Sequence, residues 1–301
     1  MINANREGPP RETVTRRAPA KINLTLEVVA RLPNGYHRIR SIMLKLDRLA
    51  DTVRVHVDEG ARGIAIHGDP ARIPLDETNL CHCAARAYLG RTGRIARVDV
   101  AIEKSIPVAA GLGGGSSDAA AVLHALNERF DNALPHAELV ALGADVGKDL
   151  PFFLSDAPLA RVSGMGESVE GLAATPRLHC LLVNPGIAVA TAEAYAALRR
   201  DLWFMDLPGR HDRTAAMAQA LSTGDIDATA AALYNDFEIV AERAHPVLKE
   251  LKQALLAFGA RGALMSGSGP TLFDLFDAEQ TLAEAERALG MHYSGFVVAR
   301  G

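Results

Sequence analysis

The sequence is poor in several features that mark particular classes of protein. Only three of its 301 residues are cysteines, only 5% are aromatic, and a net charge of -4 leaves no basic excess. A disulfide framework needs more thiols in a shorter chain, and a nucleic-acid binder usually shows a strong basic excess. Both classes are disfavoured, and we expect no nucleic-acid partner.

Long apolar runs are also missing. No run reaches the roughly 18 residues that span a bilayer, and no apolar signal-peptide core lies near the start. Residues 1–17 mix arginines with Glu7, Glu12 and the pair Pro9-Pro10. A short transit peptide is one interpretation of this stretch, but the acidic residues argue against it. We expect a flexible tail over residues 1–17, a cytoplasmic protein and no membrane partner.

Two of the cysteines lie close together, in Cys81-His82-Cys83. Structural zinc sites usually space their cysteines by two to four residues and add a second pair of ligands, and no such pair is visible in this sequence. We therefore interpret these cysteines as buried thiols on a helix, and we assign no metal-ligating residue.

Apolar periodicity predicts strands first and a mixture of strands and helices afterwards. The predicted strands cover residues 17–29, 53–57, 64–66, 98–102, 181–183 and 272–276, and the predicted helices cover residues 79–89, 119–126, 135–142, 192–200, 213–220 and 247–258. Because regular βαβ alternation is lacking, the predicted fold class is α+β. A division near residue 160 gives two lobes, 18–162 and 163–301, although no linker composition marks it.

A glycine-rich loop comes directly before the predicted helix at residue 119. Glycine lets a backbone approach a phosphate closely, and N–H groups at a helix start form an anion site that the helix dipole strengthens. A tight turn with a capped helix is the structural alternative. The loop residues predicted to bind a nucleotide are Pro107, Val108, Ala109, Ala110, Gly111, Leu112, Gly113, Gly114, Gly115, Ser116 and Ser117.

Three better-known glycine motifs do not match this loop. A P-loop needs Gly-Lys followed by Ser or Thr, and the loop has no lysine. A dinucleotide fingerprint needs a third glycine where Ser116 stands, within a βαβ unit. A nucleophile elbow needs Gly-x-Ser-x-Gly, which neither this loop nor the segment at Ser266 supplies. A dinucleotide-binding enzyme is therefore disfavoured.

Three motifs in order resemble those of the GHMP kinase superfamily. They are Ala-Pro-Ala-Lys-Ile-Asn-Leu at residues 18–24, Pro-Val-Ala-Ala-Gly-Leu-Gly-Gly-Gly-Ser-Ser-Asp-Ala-Ala at residues 107–120, and Ser-Gly-Ser-Gly-Pro-Thr at residues 266–271. The resemblance covers nearly the whole chain. The triple glycine before two serines is similar to one branch of the superfamily, whose substrate is a cytidine-diphosphate-linked methylerythritol.

The resemblance implies a fold, a reaction and cofactors. It implies two lobes with the active site between them, residues 18–162 binding ATP and carrying the catalytic residues, and residues 163–301 binding substrate. The implied reaction is ATP-dependent phosphorylation of the substrate's 2-hydroxyl in the non-mevalonate isoprenoid precursor pathway, with Mg²⁺ accompanying ATP. The alternatives are a homoserine- or mevalonate-type kinase, or a GHMP-fold protein that senses a ligand without turnover.

Two residues are predicted to be catalytic. Lys21 lies in an otherwise apolar strand, where a lysine is costly to bury unless it is paired; a lysine that snorkels at a strand edge is the structural alternative. The family places an aspartate as general base before an apolar segment. Asp145 and Asp149 compete for that role, and Asp149 is favoured because Leu-Pro-Phe-Phe follows it. Retention of both residues argues against a pure sensor.

Two further nucleotide-binding candidates rest on the family resemblance and on weaker local signals. Lys104 is a candidate for the nucleotide's phosphates or base, with an exposed strand lysine as the alternative. Asn79 resembles a family asparagine near the adenine, with a helix cap as the alternative.

The substrate-binding candidates also follow from the resemblance. They are Asn23, Tyr36, His37, Thr191 and Tyr195. The segment Asn-Gly-Tyr-His at residues 34–37 resembles an Asp-Gly-Tyr-His segment of the branch, with Asn in place of Asp. In that branch the Tyr and the His of the segment belong to the cytosine pocket. Every base offers a π-face for stacking. Our hypothesis is that Tyr36 and Tyr195 sandwich the cytosine while His37 hydrogen-bonds its edge.

Overall fold

The computed structural model of this chain describes residues 13–173, 178–187, 189, 191–198, 212–293 and 297–300. The strands within these ranges are β1 (Thr13–Arg31), β2 (His37–Asp58), β3 (Gly63–His67), β4 (Arg97–Glu103), β5 (Leu159–Gly164), β6 (Ser168–Gly171), β7 (His179–Asn184), β8 (Tyr234–Asn235), β9 (Gly262–Met265), β10 (Leu272–Phe276) and β11 (Val297–Arg300). The helices are α1 (Leu80–Thr92), α2 (Gly114–Arg129), α3 (His136–Val146), α4 (Leu150–Leu154), α5 (Thr191–Ala197), α6 (Arg213–Thr223), α7 (Ile226–Ala231), α8 (Glu238–Ala244), α9 (Pro246–Ala257) and α10 (Glu279–His292).

The first sheet is built around the long hairpin of β1 and β2. Its strand order is β3-β4-β2-β1-β8, and β5 pairs with β2 while β6 pairs with β5. Alternating apolar residues of β2 and β4, such as Val53, Val55 and Val100, are buried in a core shared with α1 and α2. Three register shifts interrupt β1, at Pro19/Ala20, Asn23/Thr25 and Val28/Ala30. Such bulges re-aim side chains, and Lys21 lies between the first two.

The second sheet is antiparallel in the order β11-β7-β10-β9. Residues of this sheet, such as Leu182, Leu264 and Phe273, share a core with Ile22 and Leu24 of β1. Because the other face of the hairpin packs on α2, the middle of β1 is covered on both sides, and residues 20–29 are buried without alternation. Mixed strands and helices agree with the predicted α+β class.

The observed elements differ from the predicted domain limits at two places. β1 begins at Thr13, and residues 13–17 pair with residues 52–56 of β2, so this part of the predicted tail is strand. Residues 1–12 lie outside the described ranges. The predicted division between residues 162 and 163 falls inside β5, which pairs with β2 and β6. The first sheet therefore includes β5 and β6, which ends at Gly171, and it also includes β8, which comes later in the chain.

The cysteines are free thiols. Cys81 and Cys180 are buried, and Cys83 is half-buried on α1, where its thiol donates to the carbonyl of Glu77 at 3.3 Å. Among the described residues, no helix combines the length and apolar character needed to cross a membrane.

Candidate active site

A cavity of about 600 Å³ lies beside the glycine loop, between the first sheet and the segments that follow β7 and β9. Residues 107–116 line it along one wall. The other predicted residues that line it are Lys21, Asn23, Asn79, Lys104, Asp149, Thr191 and Tyr195. Ser117, Tyr36 and His37 are outside its lining. The structure thus brings together residues that are up to 174 positions apart in the sequence.

Lys21 projects from β1 into the cavity and is almost fully buried. Its Nζ donates to Asn23 Oδ1 at 2.6 Å and to the carbonyl oxygen of Gly111 at 2.9 Å, and it lies 4.0 Å from Asp149 Oδ2. Burial lowers the pKa of the ammonium, and the Asp149 charge partly offsets this effect. The alternative of a lysine at an exposed strand edge does not describe this position.

Asp149 comes directly before α4, whose five residues are all buried. This packing fixes the backbone at Asp149, while its side chain, about one third exposed, faces Lys21 and the cavity. Asp145 is exposed on α3 and does not line the cavity. Of the two competing aspartates, Asp149 is thus the one with a carboxylate beside the predicted catalytic lysine.

Residues of the first and the third motif both donate hydrogen bonds to one backbone oxygen of the glycine loop. The carbonyl oxygen of Gly111 accepts from Lys21 Nζ and, at 3.0 Å, from Ser266 Oγ. Gly111 has a φ of +76°, and a Cβ at this position would lie 2.1 Å from the carbonyl oxygen of Ser266. Only glycine permits this approach, so the three sequence motifs form one packed unit.

The start of α2 faces the cavity. Gly113 is its N-cap with a φ of +71°, and Gly114, Gly115 and Ser116 line the cavity. N–H groups in the first turn of a helix have no partner within the helix. The Oγ of Ser117 is buried and lacks a hydrogen-bond partner among the described residues. Unsatisfied donors at a helix start suit an anionic group such as a phosphate.

Lys104 is buried, not exposed. Its Nζ donates to Asp118 Oδ2 at 2.7 Å and to Asp51 Oδ2. Burial lowers the pKa of Lys104, but the charges and hydrogen bonds of Asp118 and Asp51 outweigh that effect and raise it. The side chain also lines the cavity, so an exposed strand lysine is excluded.

Asn79 caps α1 and lines the cavity as well. Its Oδ1 accepts from the N–H of Cys81 at 2.9 Å, and its Nδ2 donates to the carbonyl of Pro74 at 2.7 Å. The helix-cap interpretation is therefore present in the structure, and the position beside the cavity is compatible with the nucleotide interpretation too.

The aromatic candidates are arranged differently from the predicted sandwich. Tyr195 stacks on His37, with ring centroids 4.4 Å apart and planes inclined by 21°, and meets Phe237 edge-on at 4.7 Å. Tyr36 is 54% exposed, and the ammonium of Lys148 lies 5.6 Å from its ring centre. His37, rather than Tyr36, is thus the ring against Tyr195. A cytosine between the two tyrosines would require His37 to leave that position.

Two smaller polar side chains, Thr191 and Asn23, also line the cavity. Thr191 Oγ1 lies 2.9 Å from Ser268 Oγ, which joins the start of α5 to the third motif. Asn23 Nδ2 donates to Ser41 Oγ at 2.9 Å, so its amide is oriented by β2.

Burial and the nearby Asp149 charge raise the pKa of Tyr195 to about 12, and its hydroxyl therefore stays protonated at neutral pH.

Several lining residues were not singled out from the sequence. Phe237 and Arg72 carry no local signal for a site. Ser268 lies in the third motif, and Asp118 follows the two serines of the second, but neither position alone indicates a role. Asp51 does not line the cavity but accepts a hydrogen bond from Lys104, which does; the sequence marks it only as an acidic residue between the apolar residues Leu49 and Val53 of β2.

Comparisons with known proteins agree with this fold and cavity. The family model described as the GHMP kinases N terminal domain matches residues 79–157, and the one described as GHMP kinases C terminal matches residues 217–295. A solved structure of homoserine kinase from Cytophaga hutchinsonii, 18% identical, superposes with a TM-score of 0.74 over 98% of this chain and 95% of that one. At that identity the likeness concerns the fold alone. The fold, the glycine loop and these matches define a GHMP kinase, an ATP-dependent small-molecule kinase.

Relatives with higher sequence identity show which branch of the GHMP kinases this chain belongs to. The chain is 39% identical to the 4-diphosphocytidyl-2-C-methyl-D-erythritol kinase of Geobacter metallireducens, over 96% of this chain and 98% of that one. It is 40% identical to the kinase of the same name from Syntrophotalea carbinolica, over 89% and 92% of the two chains. A solved structure of 4-(cytidine 5'-diphospho)-2C-methyl-D-erythritol kinase matches with 35% identity and a TM-score of 0.76, over 95% of this chain and 98% of that one. This chain belongs to the 4-diphosphocytidyl-2-C-methyl-D-erythritol kinase family.

Proposed function

We propose that this protein transfers the γ-phosphate of ATP to the 2-hydroxyl of 4-diphosphocytidyl-2-C-methyl-D-erythritol, a step of the non-mevalonate isoprenoid precursor pathway. The observation that carries the proposal is the pair of Lys21 and Asp149, 4.0 Å apart, in a cavity whose wall is the glycine loop. The names of the relatives support the choice of substrate.

In this proposal Asp149 is the general base. Its carboxylate is partly exposed to the cavity, where it can accept the proton of a bound hydroxyl as the phosphoryl group arrives. A base must lie within hydrogen-bond reach of the proton that it removes. The buried α4 behind Asp149 limits its movement, which favours one orientation of the carboxylate.

Lys21 stabilises negative charge on the transferred group. An ammonium has three donors, and two of them are used on Asn23 and Gly111. The third is available to the substrate hydroxyl or to the phosphoryl oxygens. Phosphoryl transfer depends mainly on positioning and on charge stabilisation, and a lysine fixed by two neighbouring acceptors serves both.

The residues present suit a magnesium nucleotide. The unsatisfied N–H groups at the start of α2 and the buried Ser117 hydroxyl suit phosphate oxygens. The described residues include no group of three or more His, Cys, Asp or Glu side chains arranged for a metal ion. Mg²⁺ usually keeps several waters and is held largely by substrate phosphates, where it neutralises charge during transfer. We therefore propose that it enters with ATP.

A coupled assay of ADP release with Mg-ATP tests the proposed substrate. The acceptors are 4-diphosphocytidyl-2-C-methyl-D-erythritol, homoserine, mevalonate and galactose. We expect turnover with the cytidyl substrate alone. Turnover of another acceptor instead would retain the GHMP kinase class and overturn the substrate. ATP binding without turnover of any acceptor would favour a sensor.

The two aspartates form a matched pair for testing the base. We expect Asp149→Asn to lower kcat by about 10²–10⁴-fold, the usual contribution of a positioned general base, with little change in either KM. Asp145→Asn removes the same charge from an exposed position on α3 and should keep normal kcat. The opposite pattern would assign the base to Asp145.

A further inference from the structure

A buried group of charged side chains behind the glycine loop has no part in the transfer described above. We call it the Lys104 cluster; it consists of Lys104, Asp51 and Asp118. Asp51 comes from β2, Lys104 follows β4, and Asp118 lies in the first turns of α2. The side chains of the three residues are only 4%, 0% and 3% exposed, respectively. Burying charges is costly unless they are paired and hydrogen-bonded.

The two carboxylates of the cluster are not equally supported. Asp51 Oδ1 accepts from the N–H groups of Ser105 and Ile106 at 2.6 and 2.8 Å, and its Oδ2 accepts from Lys104. Asp118 Oδ2 accepts from Lys104 at 2.7 Å, but its Oδ1 is buried without a hydrogen-bond partner in the described part of the chain. Asp118 is therefore the member whose negative charge is least stabilised.

The cluster adjoins the loop that we assign to the nucleotide's phosphates. Lys104 and Asp118 both line the cavity, and a Cβ on Gly114 would lie 3.1 Å from Lys104 Nζ. Two carboxylates against one ammonium leave one excess negative charge when all three are ionised. Like charges repel strongly where water is scarce, so this excess charge opposes entry of a triphosphate.

We propose that Asp118 takes up one proton when the phosphates of a nucleotide enter the glycine loop, and that it is a positioning residue that holds the Lys104 ammonium beside them. The proton comes from the solvent and forms an O–H bond at Oδ1, while Oδ2 continues to accept from Lys104. Uptake brings the net charge of the cluster to zero. This inference rests on the nucleotide site of the proposed function and adds a proton to its binding equilibrium.

The electrostatics of the cluster agree with such a step. Burial raises the pKa of Asp118 to about 7; the Lys104 charge lowers it in part, and the Asp51 charge raises it. Among the described residues, Cys81 from α1 is a further titratable neighbour, and burial raises the pKa of that thiol well above 9.0, which keeps it neutral. The Arg72 guanidinium also lies close, but it donates to the backbone carbonyl oxygen of Lys104 and not to a carboxylate of the cluster. An arriving anion raises the pKa of a carboxyl further. Binding then tightens as pH falls, by up to about tenfold per pH unit above pH 7.

Isothermal titration calorimetry of the full chain with Mg²⁺ and ATPγS tests this proposal. The terminal thiophosphate of ATPγS stays ionised near pH 8, so the nucleotide itself contributes little to proton uptake. Titrations at about pH 8 in HEPES and in Tris differ in buffer ionisation enthalpy. We expect the measured enthalpies to differ by an amount that corresponds to uptake of nearly one proton per site.

Variants assign the proton to its residue. Asp118→Asn should bind ATPγS with the same enthalpy in both buffers and a nearly pH-independent Kd. Cys81→Ala is the matched control; it changes a neighbour of the cluster without removing a carboxyl, and it should keep the uptake. A purely structural role of Asp118 would change stability without changing the proton count.

Three results would count against the proposal. Equal uptake in wild type and Asp118→Asn overturns it. So does a wild-type Kd that stays flat between about pH 7 and 9, a measurement that remains available if Asp118→Asn does not fold. Wild-type protein that binds no ATPγS refutes the nucleotide site itself, and this result is distinct from intact binding without proton uptake.

Discussion

At the scale of single residues, the ammonium of Lys21 carries the clearest consequence for activity. Its pKa is lowered from the ordinary 10.5, mainly by burial, with partial compensation by Asp149. If the protonated form stabilises the transferred phosphoryl group, kcat must fall once that proton leaves. Because the shift is downward, the loss occurs at lower pH than for a free lysine.

A pH–rate profile measures this loss. We expect kcat to fall on the alkaline side with a midpoint below 10.5, about tenfold per pH unit beyond it. Lys21→Arg should be slower at neutral pH but should lack this alkaline limb, because arginine stays protonated. An unchanged limb in Lys21→Arg would assign it to another group.

Tyr195 carries a prediction about the substrate. Base–aromatic stacking is worth about 1–3 kcal/mol, so we expect Tyr195→Leu to raise the KM of the cytidyl substrate roughly 5- to 150-fold without changing the KM of ATP. Tyr195→Phe keeps the ring and should resemble wild type. Unchanged substrate KM in both Tyr195→Leu and Tyr36→Ala would refute stacking by either tyrosine.

The sequence was informative about residues whose motif also fixes their geometry. Lys21 and residues 107–116 could be assigned to one site because their motifs resemble those of GHMP kinases, and the structure brings them to one cavity. The ring against Tyr195 could not be predicted, since His37 and Tyr36 are adjacent in the sequence and only the backbone of the β1–β2 turn decides which one faces it. Asp51 contributes to the site through a fold contact that no short motif encodes.

At the scale of elements, the turn from the glycine loop into α2 depends on Gly111. Its φ of +76° disfavours any side chain, and a Cβ there would come within 2.1 Å of the carbonyl oxygen of Ser266. Gly115, four residues later in α2, is less crowded, because a Cβ on it would have only Leu80 Cδ1 within 4 Å, at 3.8 Å. The two glycines have similar surroundings in the sequence but different structural requirements.

Urea unfolding distinguishes these two positions. We expect Gly111→Ala to lower the free energy of unfolding by about 2–4 kcal/mol, from backbone strain and overpacking, and to weaken nucleotide binding. Gly115→Ala should stay within about 1 kcal/mol of wild type, because alanine is favoured over glycine in a helix. Equal losses in both variants would show that the close contact at Gly111 is not what limits stability.

Helices and strands with an uninterrupted apolar pattern could be predicted from the sequence. Short strands that exist only because they pair with a neighbouring strand could not. The strand at 272–276 and the helix at 247–258 agree with β10 and α9, because each has a clear apolar pattern. β6 and β8 have four and two residues, too few for any period, and they exist through pairing with β5 and β1. The predicted tail over residues 13–17 is strand because β2 is long enough to pair with it.

At the scale of the whole molecule, a carboxyl in the second sheet affects stability. Asp274 of β10 is fully buried; its Oδ1 accepts from the N–H of Leu181 at 3.0 Å, and its Oδ2 has no hydrogen-bond partner among the described residues. Burial raises the pKa of Asp274 well above its ordinary 3.8, despite that hydrogen bond. The folded state therefore holds this proton more tightly than the unfolded state.

The sign of the pH dependence follows from this difference. A raised pKa in the folded state gives stability that is complete below pH 3.8 and is lost as pH rises through the folded-state pKa. We expect Asp274→Asn to gain stability relative to wild type as pH rises from about 5 to 8, measured by urea unfolding at each pH. Asp277→Asn, at an exposed position three residues later, should show no such trend. Parallel curves for wild type and Asp274→Asn would contradict the assignment.

The contact between β1 and β8 has a consequence for synthesis on the ribosome. The N–H of Val28 donates to Asp236 Oδ2 at 2.6 Å, across 208 positions of the chain, and Asp236 follows the strand that covers this edge of β1. At about 5–20 residues per second, roughly 10–40 s separate the emergence of the two residues. During that interval the nascent first sheet presents an uncovered edge beside its long hairpin. Chaperone binding or aggregation of the unfinished chain is therefore expected to concentrate at the C-terminal half of β1.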